Sequence, residues 1–308
     1  MKRVLLPTDF SENSFNAACY ALALFQNETC VFYLMNTYTP PIYRVDYALG
    51  SPGQLGLPDD FQHFAMNNLK WFETELKKRF NNPRHSIVLH SAFNTLDDEI
   101  KRVANNEEID IIVMGTHGAT GAKELFFGSN TLHAIKKTVV PILAIPSKHK
   151  FKAPKNLLFP TDLEIGYCKV PLQILVGLSQ LWQSTVHILH VTAPEGLNDV
   201  QRENKKTLEE LISAPEVVYH DYPDQELLNA INGFYDTYPV EILAMVQNKH
   251  TFLERLFIEP IIKNIGLHSQ IPFLVLPYQP DKTVPSKTQI DLNHSMKTDA
   301  DLVLKENK

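Results

Sequence analysis

The sequence VLLPTD at residues 4–9 indicates how the chain is organised, because a similar stretch, LLFPTD, recurs at residues 157–162. Each copy is a short apolar run followed by the same Pro-Thr-Asp turn. A second pair of similar runs closes the two copies, VPILAIP at 140–146 and IPFLVLP at 271–277. The chain therefore contains an internal repeat, in which one structural unit is expected twice.

The repeat divides the 308-residue chain into two expected domains, at 1–148 and 153–278, followed by a mostly disordered tail at 279–308. The first copy is the longer one. Its surplus is expected at 39–62, which is rich in Pro, Gly and Tyr and indicates a long loop.

Strand and helix patterns alternate within each copy. Strands are predicted at 3–6, 29–36, 86–90, 110–114 and 141–145, and again at 156–159, 185–191, 217–220, 240–246 and 273–276. Helices are predicted between them at 11–25, 61–80, 96–104 and 130–137, and then up to 182 and at 204–212, 225–235 and 252–266. This order predicts an α/β fold: two tandem, doubly wound, parallel five-stranded sheets with helices on both faces.

The composition narrows the functional classes. A net charge of −6 argues against a general nucleic-acid binder, which would usually be basic. The three cysteines form no CxxC pair, which favours a reducing compartment over a disulfide framework. No signal peptide and no apolar stretch of membrane-spanning length is visible. We expect a cytoplasmic protein that binds neither nucleic acid nor membrane.

A glycine-rich loop follows the fourth predicted strand of the first copy. Its glycines are Gly115, Gly118, Gly121 and Gly128, and Ser129 follows the last of them at the start of a predicted helix. Glycine lets the backbone approach a ligand closely, and a helix N-terminus presents unpaired N–H groups to an anion. The spacing is neither a Walker loop nor a GxGxxG fingerprint. It nevertheless predicts a phosphate-binding loop.

This glycine spacing, together with the Pro-Thr-Asp turn after the first strand, resembles the ATP-binding branch of the universal stress protein family. The resemblance covers about 1–278 and implies a tandem two-domain member, with adenine nucleotide as the ligand of its first domain. It implies that ATP binds to the protein, with or without Mg²⁺. It also implies that the protein is a stress-response sensor or regulator. It also implies pairing of the two domains through their last strands, and a homodimer is a further expectation.

The resemblance assigns the site residue by residue. Asp9 matches the acid that reaches the nucleoside, and Asn36 lies where the family recognises adenine through backbone groups. Gly115 and Gly118 match the first two loop glycines. The full expected nucleotide site comprises Pro7, Thr8, Asp9, Asn36, Met114, Gly115, His117, Gly118, Gly128, Ser129, Asn130 and Thr131.

The second copy departs from the pattern. Alignment of the closing strands places Val246 at the position of Gly115, Lys249 at that of Gly118, and Glu259 and Pro260 at those of Gly128 and Ser129. Glu259 would repel phosphate, and Pro260 lacks a backbone donor. The second domain is therefore expected to bind no ATP in the family's manner and to serve as a structural or dimerising partner.

Two other classes of function compete with this interpretation. One is an enzyme of the same broad fold, such as an ATP pyrophosphatase, but its Ser-Gly-Gly loop is absent after the first strand. No dedicated base or metal cluster is visible, and His117 has no orienting carboxylate nearby in the sequence, so at most slow ATP hydrolysis is expected. The other is a structural interaction protein that binds no nucleotide.

Overall fold

The structure is a computed structural model that describes residues 1–38, 58–116, 128–223, 226–247 and 271–278. Several sequence predictions lie outside these ranges. They are the greater part of the long loop at 39–62, His117 and Gly118 of the glycine loop, the helix at 252–266, and the tail at 279–308.

The first half alternates strands and helices as predicted. Its elements are β1 Lys2–Pro7, α1 Glu12–Leu24, β2 Cys30–Tyr38, α2 Pro58–Arg79, β3 His85–Phe93, α3 Leu96–Asn106, β4 Ile111–Gly115, α4 Ser129–Lys137 and β5 Ile142–Ile145. The second half repeats the order with β6 Asn156–Thr161, α5 Lys169–Trp182, β7 Thr185–Thr192, α6 Asp199–Leu211, β8 Glu216–Pro223, α7 Leu227–Thr237, β9 Ile242–Gln247 and β10 Phe273–Pro277.

The ten strands of the described ranges form one sheet, in the order β3-β2-β1-β4-β5-β10-β9-β6-β7-β8. Each half has the doubly wound order that the repeat predicts, and its strands pair in parallel. The halves meet where β5 pairs with β10 in the antiparallel sense, with Leu143 opposite Leu274. The two sheets expected from the sequence are thus joined edge to edge into one.

Helices cover both faces of the sheet. One face packs against α1, α2, α5 and α6, and its core includes Phe32, Phe72 and Phe159. The other face packs against α3, α4 and α7, where Phe234 is fully buried. Burial of each such ring stabilises the fold by roughly 1.5–3 kcal/mol. None of the helices in the described ranges is both long and apolar enough to cross a lipid bilayer.

Aromatic side chains connect the two halves on one face of the sheet. The indole N–H of Trp182, at the end of α5, donates to the carbonyl of Leu24 at the end of α1, at 3.0 Å. The Phe151 ring, from the segment between the halves, packs between Trp182 and Tyr20, with centroid distances of 5.4 and 5.2 Å. The halves therefore share core as well as sheet.

Helix capping explains where the helix predictions succeeded and where one was wrong. Ser11 is the predicted cap of α1, and its side chain accepts from the Ser14 N–H at 3.2 Å. Helix α6 was predicted to begin at Asn204 but begins at Asp199. The reason is a capping box, in which Asn198 and Gln201 accept each other's backbone N–H groups at 2.8 and 3.1 Å.

A buried carboxylate of α3 forms a hydrogen bond with a side chain of β3. Glu99 is 1% exposed and accepts hydrogen bonds from the side chains of Arg102, Asn94 and His90. The bonds from Arg102 are the largest cause that holds the pKa of Glu99 at about 2, against an ordinary 4.5. Glu99 is therefore charged throughout the physiological pH range.

A pair of neutral histidines lies under α7 in the second half. Nδ1 of His187 lies 3.0 Å from Nε2 of His220, and Nε2 of His187 lies 3.1 Å from Oδ1 of Asn156. Both rings pack against Phe234 and Tyr238. Burial lowers the pKa of both histidines, and the neighbouring His220 adds to the effect at His187.

These histidines predict that the protein loses stability in mild acid. The unfolded chain takes up their protons near pH 6.5, whereas the folded chain takes them up only at lower pH. The free energy of unfolding should therefore be highest above about pH 7 and fall as the pH drops through 6.5 toward the lowered folded values. Urea unfolding at pH 7.5, 6.5 and 5.5 measures this slope.

The double variant His187→Phe/His220→Phe should have a shallower slope. Part of the slope should remain, because burial also lowers the pKa of His85. His63→Gln, at an exposed position of α2, is the control and should keep the wild-type slope. A double variant with the wild-type slope would contradict the assignment.

Candidate functional site

The strand order creates a switch point between β1 and β4. From β1 the chain proceeds outward through β2 to β3, and from β4 it proceeds in the opposite direction to β5. In open α/β sheets, ligands bind beyond the carboxyl ends of the strands at such a point. The predicted site residues follow β1, β2 and β4, so the fold brings them to one edge of the sheet.

The turn after β1 is held by its own side chains. The Thr8 hydroxyl lies 2.9 Å from the Ser14 hydroxyl and accepts from the Phe10 N–H at 3.0 Å. Phe10 takes a left-handed conformation with a φ of 63°. The Asp9 carboxylate accepts from the N–H and the hydroxyl of Ser11, at 3.1 and 2.6 Å. Asp9 is exposed, so the turn presents an acidic side chain at the edge of the sheet.

Asn36, at the end of β2, supports this turn. Its side-chain amide donates to the carbonyl of Thr8 at 2.8 Å, and the Thr8 N–H donates to the carbonyl of Met35, also at 2.8 Å. Asn36 and Thr8 are both buried. The sequence predicted a role for the Asn36 backbone but did not anticipate that its side chain would fix the position of the Thr8–Asp9 turn.

The end of β4 is tied to the start of α4. The Thr131 hydroxyl donates to the carbonyl of Gly115 at 2.8 Å, and the Gly128 N–H donates to the carbonyl of Thr116. Gly128 caps α4 with no side-chain hydrogen bond. The first turn of α4 thus presents backbone N–H groups that no capping side chain occupies, beside the exposed Ser129.

Gly115 is a glycine because α1 comes close to it. A Cβ atom at this position would lie 2.3 Å from the side-chain nitrogen of Asn13 and 3.2 Å from its carbonyl oxygen. Real Cβ atoms essentially never approach other atoms this closely. The contact joins the end of β4 to the start of α1, which follows the Asp9 turn.

The structure therefore groups half of the predicted residues. The turn residues Thr8 and Asp9 and their support Asn36 form one part of the edge, and Gly115, Gly128 and Ser129 form the adjoining part. The remaining predicted residues behave differently. Pro7, Met114 and Thr131 are buried, Asn130 is exposed on α4, and His117 and Gly118 lie outside the described residues.

The corresponding edge of the second half is built differently. Leu163 repeats the left-handed turn with a φ of 58°, and Asp162 accepts from the N–H of Glu164 at 3.1 Å. However, Tyr167 lies where the first half has Ser14, and its hydroxyl forms a hydrogen bond with the Thr161 hydroxyl. Helix α5 begins only at Lys169, later in the repeat than α1.

Tyr167 fills the space that the turn would otherwise enclose. Its ring packs edge-on against Phe159 at 6.3 Å, and it is buried. The remaining cavity, bounded by Thr161, Asp162 and Val246 among others, has a volume of about 20 Å³. That is room for about one water molecule. Sequence reasoning missed this residue, although the aligned turns put a tyrosine opposite a serine.

Strand register agrees with the alignment of the glycine positions. Val246 pairs with Leu276 in the second half, as Gly115 pairs with Ile145 in the first. Lys249, Glu259 and Pro260 lie outside the described residues. Within the described part of the chain, no group of three or more His, Cys, Asp or Glu side chains could hold a metal ion.

Fold and geometry together define a class: a tandem, doubly wound α/β protein whose two halves differ at the switch point, where Tyr167 fills the turn of the second half. A universal stress protein from Archaeoglobus fulgidus has this fold. Its structure superposes with a TM-score of 0.59 and 18% identity, over 89% of this chain and 98% of that one.

Sequence comparison finds similarity to one protein family over the first half of the chain. Residues 1–146 match the universal stress protein family. Two universal stress proteins of Methanocaldococcus jannaschii are each 29% identical to this chain, over 159 and 154 residues. Each match spans 48% of this chain, and 96% and 84% of the respective relative. The first half of the chain is therefore similar to universal stress proteins.

Proposed function

We propose that the first half of this protein binds ATP or another adenine nucleotide, and that the protein acts in the cytoplasm as a stress-response regulator or sensor. The observation that carries the proposal is the convergence of two parts at the switch point. One part is the acidic turn at Asp9, and the other is the glycine-bounded start of α4.

The chemistry of the two parts suits the two ends of a nucleotide. The first turn of α4 offers backbone N–H groups and the positive end of the helix dipole, which favour phosphate oxygens. A carboxylate such as that of Asp9 accepts hydrogen bonds from ribose hydroxyls. Gly118, between these parts in the sequence, would let the loop backbone approach the phosphates, and His117 beside it would contact them. Mg²⁺, where it enters, would be carried by the phosphates.

In this proposal the second half carries no nucleotide. Tyr167 occupies the space beside the turn, and Val246 adds a side chain at the position of Gly115. The second half instead serves as a structural partner, through the β5–β10 pairing and the Trp182 contact. Association of two chains into a homodimer belongs to the same proposal.

Calorimetric titration with Mg-ATP tests the proposal. The wild-type chain, stripped of copurified nucleotide, should bind one equivalent. Gly118→Lys, which places the lysine of the second copy into the first, should abolish measurable binding. Asp9→Ala should weaken binding by about 10- to 100-fold, because a hydrogen bond to a charged group contributes about 1.5–3 kcal/mol.

The repeat supplies a matched control. Asp162→Ala removes the corresponding acid of the second half and should leave the affinity within about twofold, a difference below 0.5 kcal/mol. Absence of binding by the stripped wild type would overturn the proposal and leave an interaction protein as the better interpretation. Equal losses in the Asp9 and Asp162 variants would contradict the assignment of the site to the first half.

A further inference from the structure

A groove lies beside the segment that connects the two halves. It has a volume of about 430 Å³ and lies between Lys148, His149, Lys150 and Lys152 on one side and Tyr235 and Glu241 on the other. We call it the linker groove. Its volume is within the range of small-molecule sites, which is about 300–1,000 Å³. It begins just past β5, whose last residue Ile145 pairs with Gly115, so it lies one strand away from the candidate site.

The linker groove is basic in an acidic protein. Three lysines fall within five residues, whereas the whole chain has a net charge of −6. All three are exposed, and no ion pair joins them to any residue in the described ranges. Lys148 also adopts a left-handed conformation with a φ of 63°, which is uncommon for a residue other than glycine.

The acid that lines the linker groove is engaged elsewhere. The Glu241 carboxylate accepts the backbone N–H groups of Lys155 and Asn156, at 3.1 and 2.8 Å. These bonds hold it against the start of β6. Among the described residues, Glu241 forms no ion pair with a lysine of the linker.

A buried donor lies next to the same segment. Tyr20 of α1 is 2% exposed, and its hydroxyl has no hydrogen-bond partner among the described residues. Its ring lies 5.9 Å from that of His149. Burial, with a smaller contribution from Glu241, raises the pKa of Tyr20, so the hydroxyl keeps its proton. A buried hydroxyl without a partner is unfavourable, and an acceptor oxygen supplied by a ligand would satisfy it.

We propose that the linker groove is a second anion site, which binds a polyphosphate group through Lys148, Lys150 and Lys152 with the Tyr20 hydroxyl as a neutral donor. Lysine binds phosphate oxygens as a point charge, and three ammonium groups spaced along one segment match a chain of several phosphates. This site is independent of the function proposed for the first half. The polyphosphate can be inorganic or belong to a phosphorylated metabolite.

Titration with inorganic tripolyphosphate, at about 50 mM salt and followed by amide NMR shifts and calorimetry, tests the proposal. The amides of 147–152 should shift and saturate, ahead of those of 128–131. The triple variant Lys148→Gln/Lys150→Gln/Lys152→Gln should bind at least tenfold more weakly. Tyr20→Phe, which changes no charge, should weaken binding about two- to fivefold. Competition by ATP at the same linker amides would identify an esterified polyphosphate as an acceptable source.

A charge-matched triple variant separates a specific site from general attraction. Lys70→Gln/Lys101→Gln/Lys206→Gln removes three exposed lysines elsewhere and should leave binding within about twofold. Equal losses in the two triple variants, or no saturable shift at 147–152 in the wild type, would overturn the proposal. Unchanged binding by Tyr20→Phe would also overturn it, because the site as proposed includes that hydroxyl.

Discussion

Gly115→Val should destabilise the protein by about 1–3 kcal/mol, the usual cost of forcing extra carbon into a packed position. The new Cβ would lie 2.3 Å from the Asn13 side chain, and the branched side chain would press further against α1. The displacement would also separate the Asp9 turn from the start of α4. We therefore expect Mg-ATP binding to be lost as well, and urea unfolding and calorimetry measure the two effects.

The second half suggests the compensating change. It carries Val246 where the first half has Gly115, and Gly166 where the repeat aligns Asn13. An added Cβ at Gly166 would meet nothing within 4 Å. Gly115→Val/Asn13→Gly should therefore recover most of the lost stability, less the roughly 1 kcal/mol or smaller cost of a glycine near the start of α1. It should not recover nucleotide binding. A double variant as unstable as the sum of its parts would show that the Asn13 contact is not the cause.

Glu99→Gln should destabilise the protein by about 2–3 kcal/mol at pH 7. The pKa of Glu99 is about 2 in the folded protein and 4.5 in the unfolded chain, and this difference sets the stabilisation that the carboxylate contributes. The stabilisation is smaller than the full difference would give, because Arg102 is half exposed. A folded pKa below the unfolded one means that this contribution is complete above about pH 4.5. It is lost as the pH falls from 4.5 toward 2.

The difference between wild type and Glu99→Gln should therefore be constant from pH 7 to about pH 5 and shrink in stronger acid, as measured by urea unfolding. Glu73→Gln is a matched control, because Glu73 pairs with Lys77 on the surface of α2. That pair, whose Lys77 side chain is exposed, should contribute at most about 0.5 kcal/mol. A difference between wild type and Glu99→Gln that does not shrink in acid would contradict a charge-based role for Glu99.

The fold could be predicted from the sequence because the repeat marks the same strand twice. The runs that become β1 and β6 share their turn, and those that become β5 and β10 share their apolar pattern and their prolines. Boundaries were less certain where a local cap decides them, as at Asn198. Only the family resemblance implied the joining of the two sheets through β5 and β10, because periodicity within each strand does not encode edge pairing.

The site could be predicted in part. Residues whose role follows from backbone geometry, such as Gly115, are visible as glycines at a strand end. Residues whose role depends on contacts made across the fold are not. The amide of Asn36 reaches the carbonyl of Thr8 because β1 and β2 are neighbours, and Tyr167 closes the second turn because α5 starts late. Neither fact has a signature in local sequence.

The antiparallel pairing of β5 and β10 also sets the directions of the helix dipoles in the two halves. Because the strands of the two halves run in opposite directions, so do the helices that return between them. Their macrodipoles oppose one another, four in the described part of the first half against three in that of the second. At long range the molecule therefore acts through its side-chain charge of −6, which repels anions. The attraction of α4 and of the linker for a phosphate is felt within about a Debye length of each.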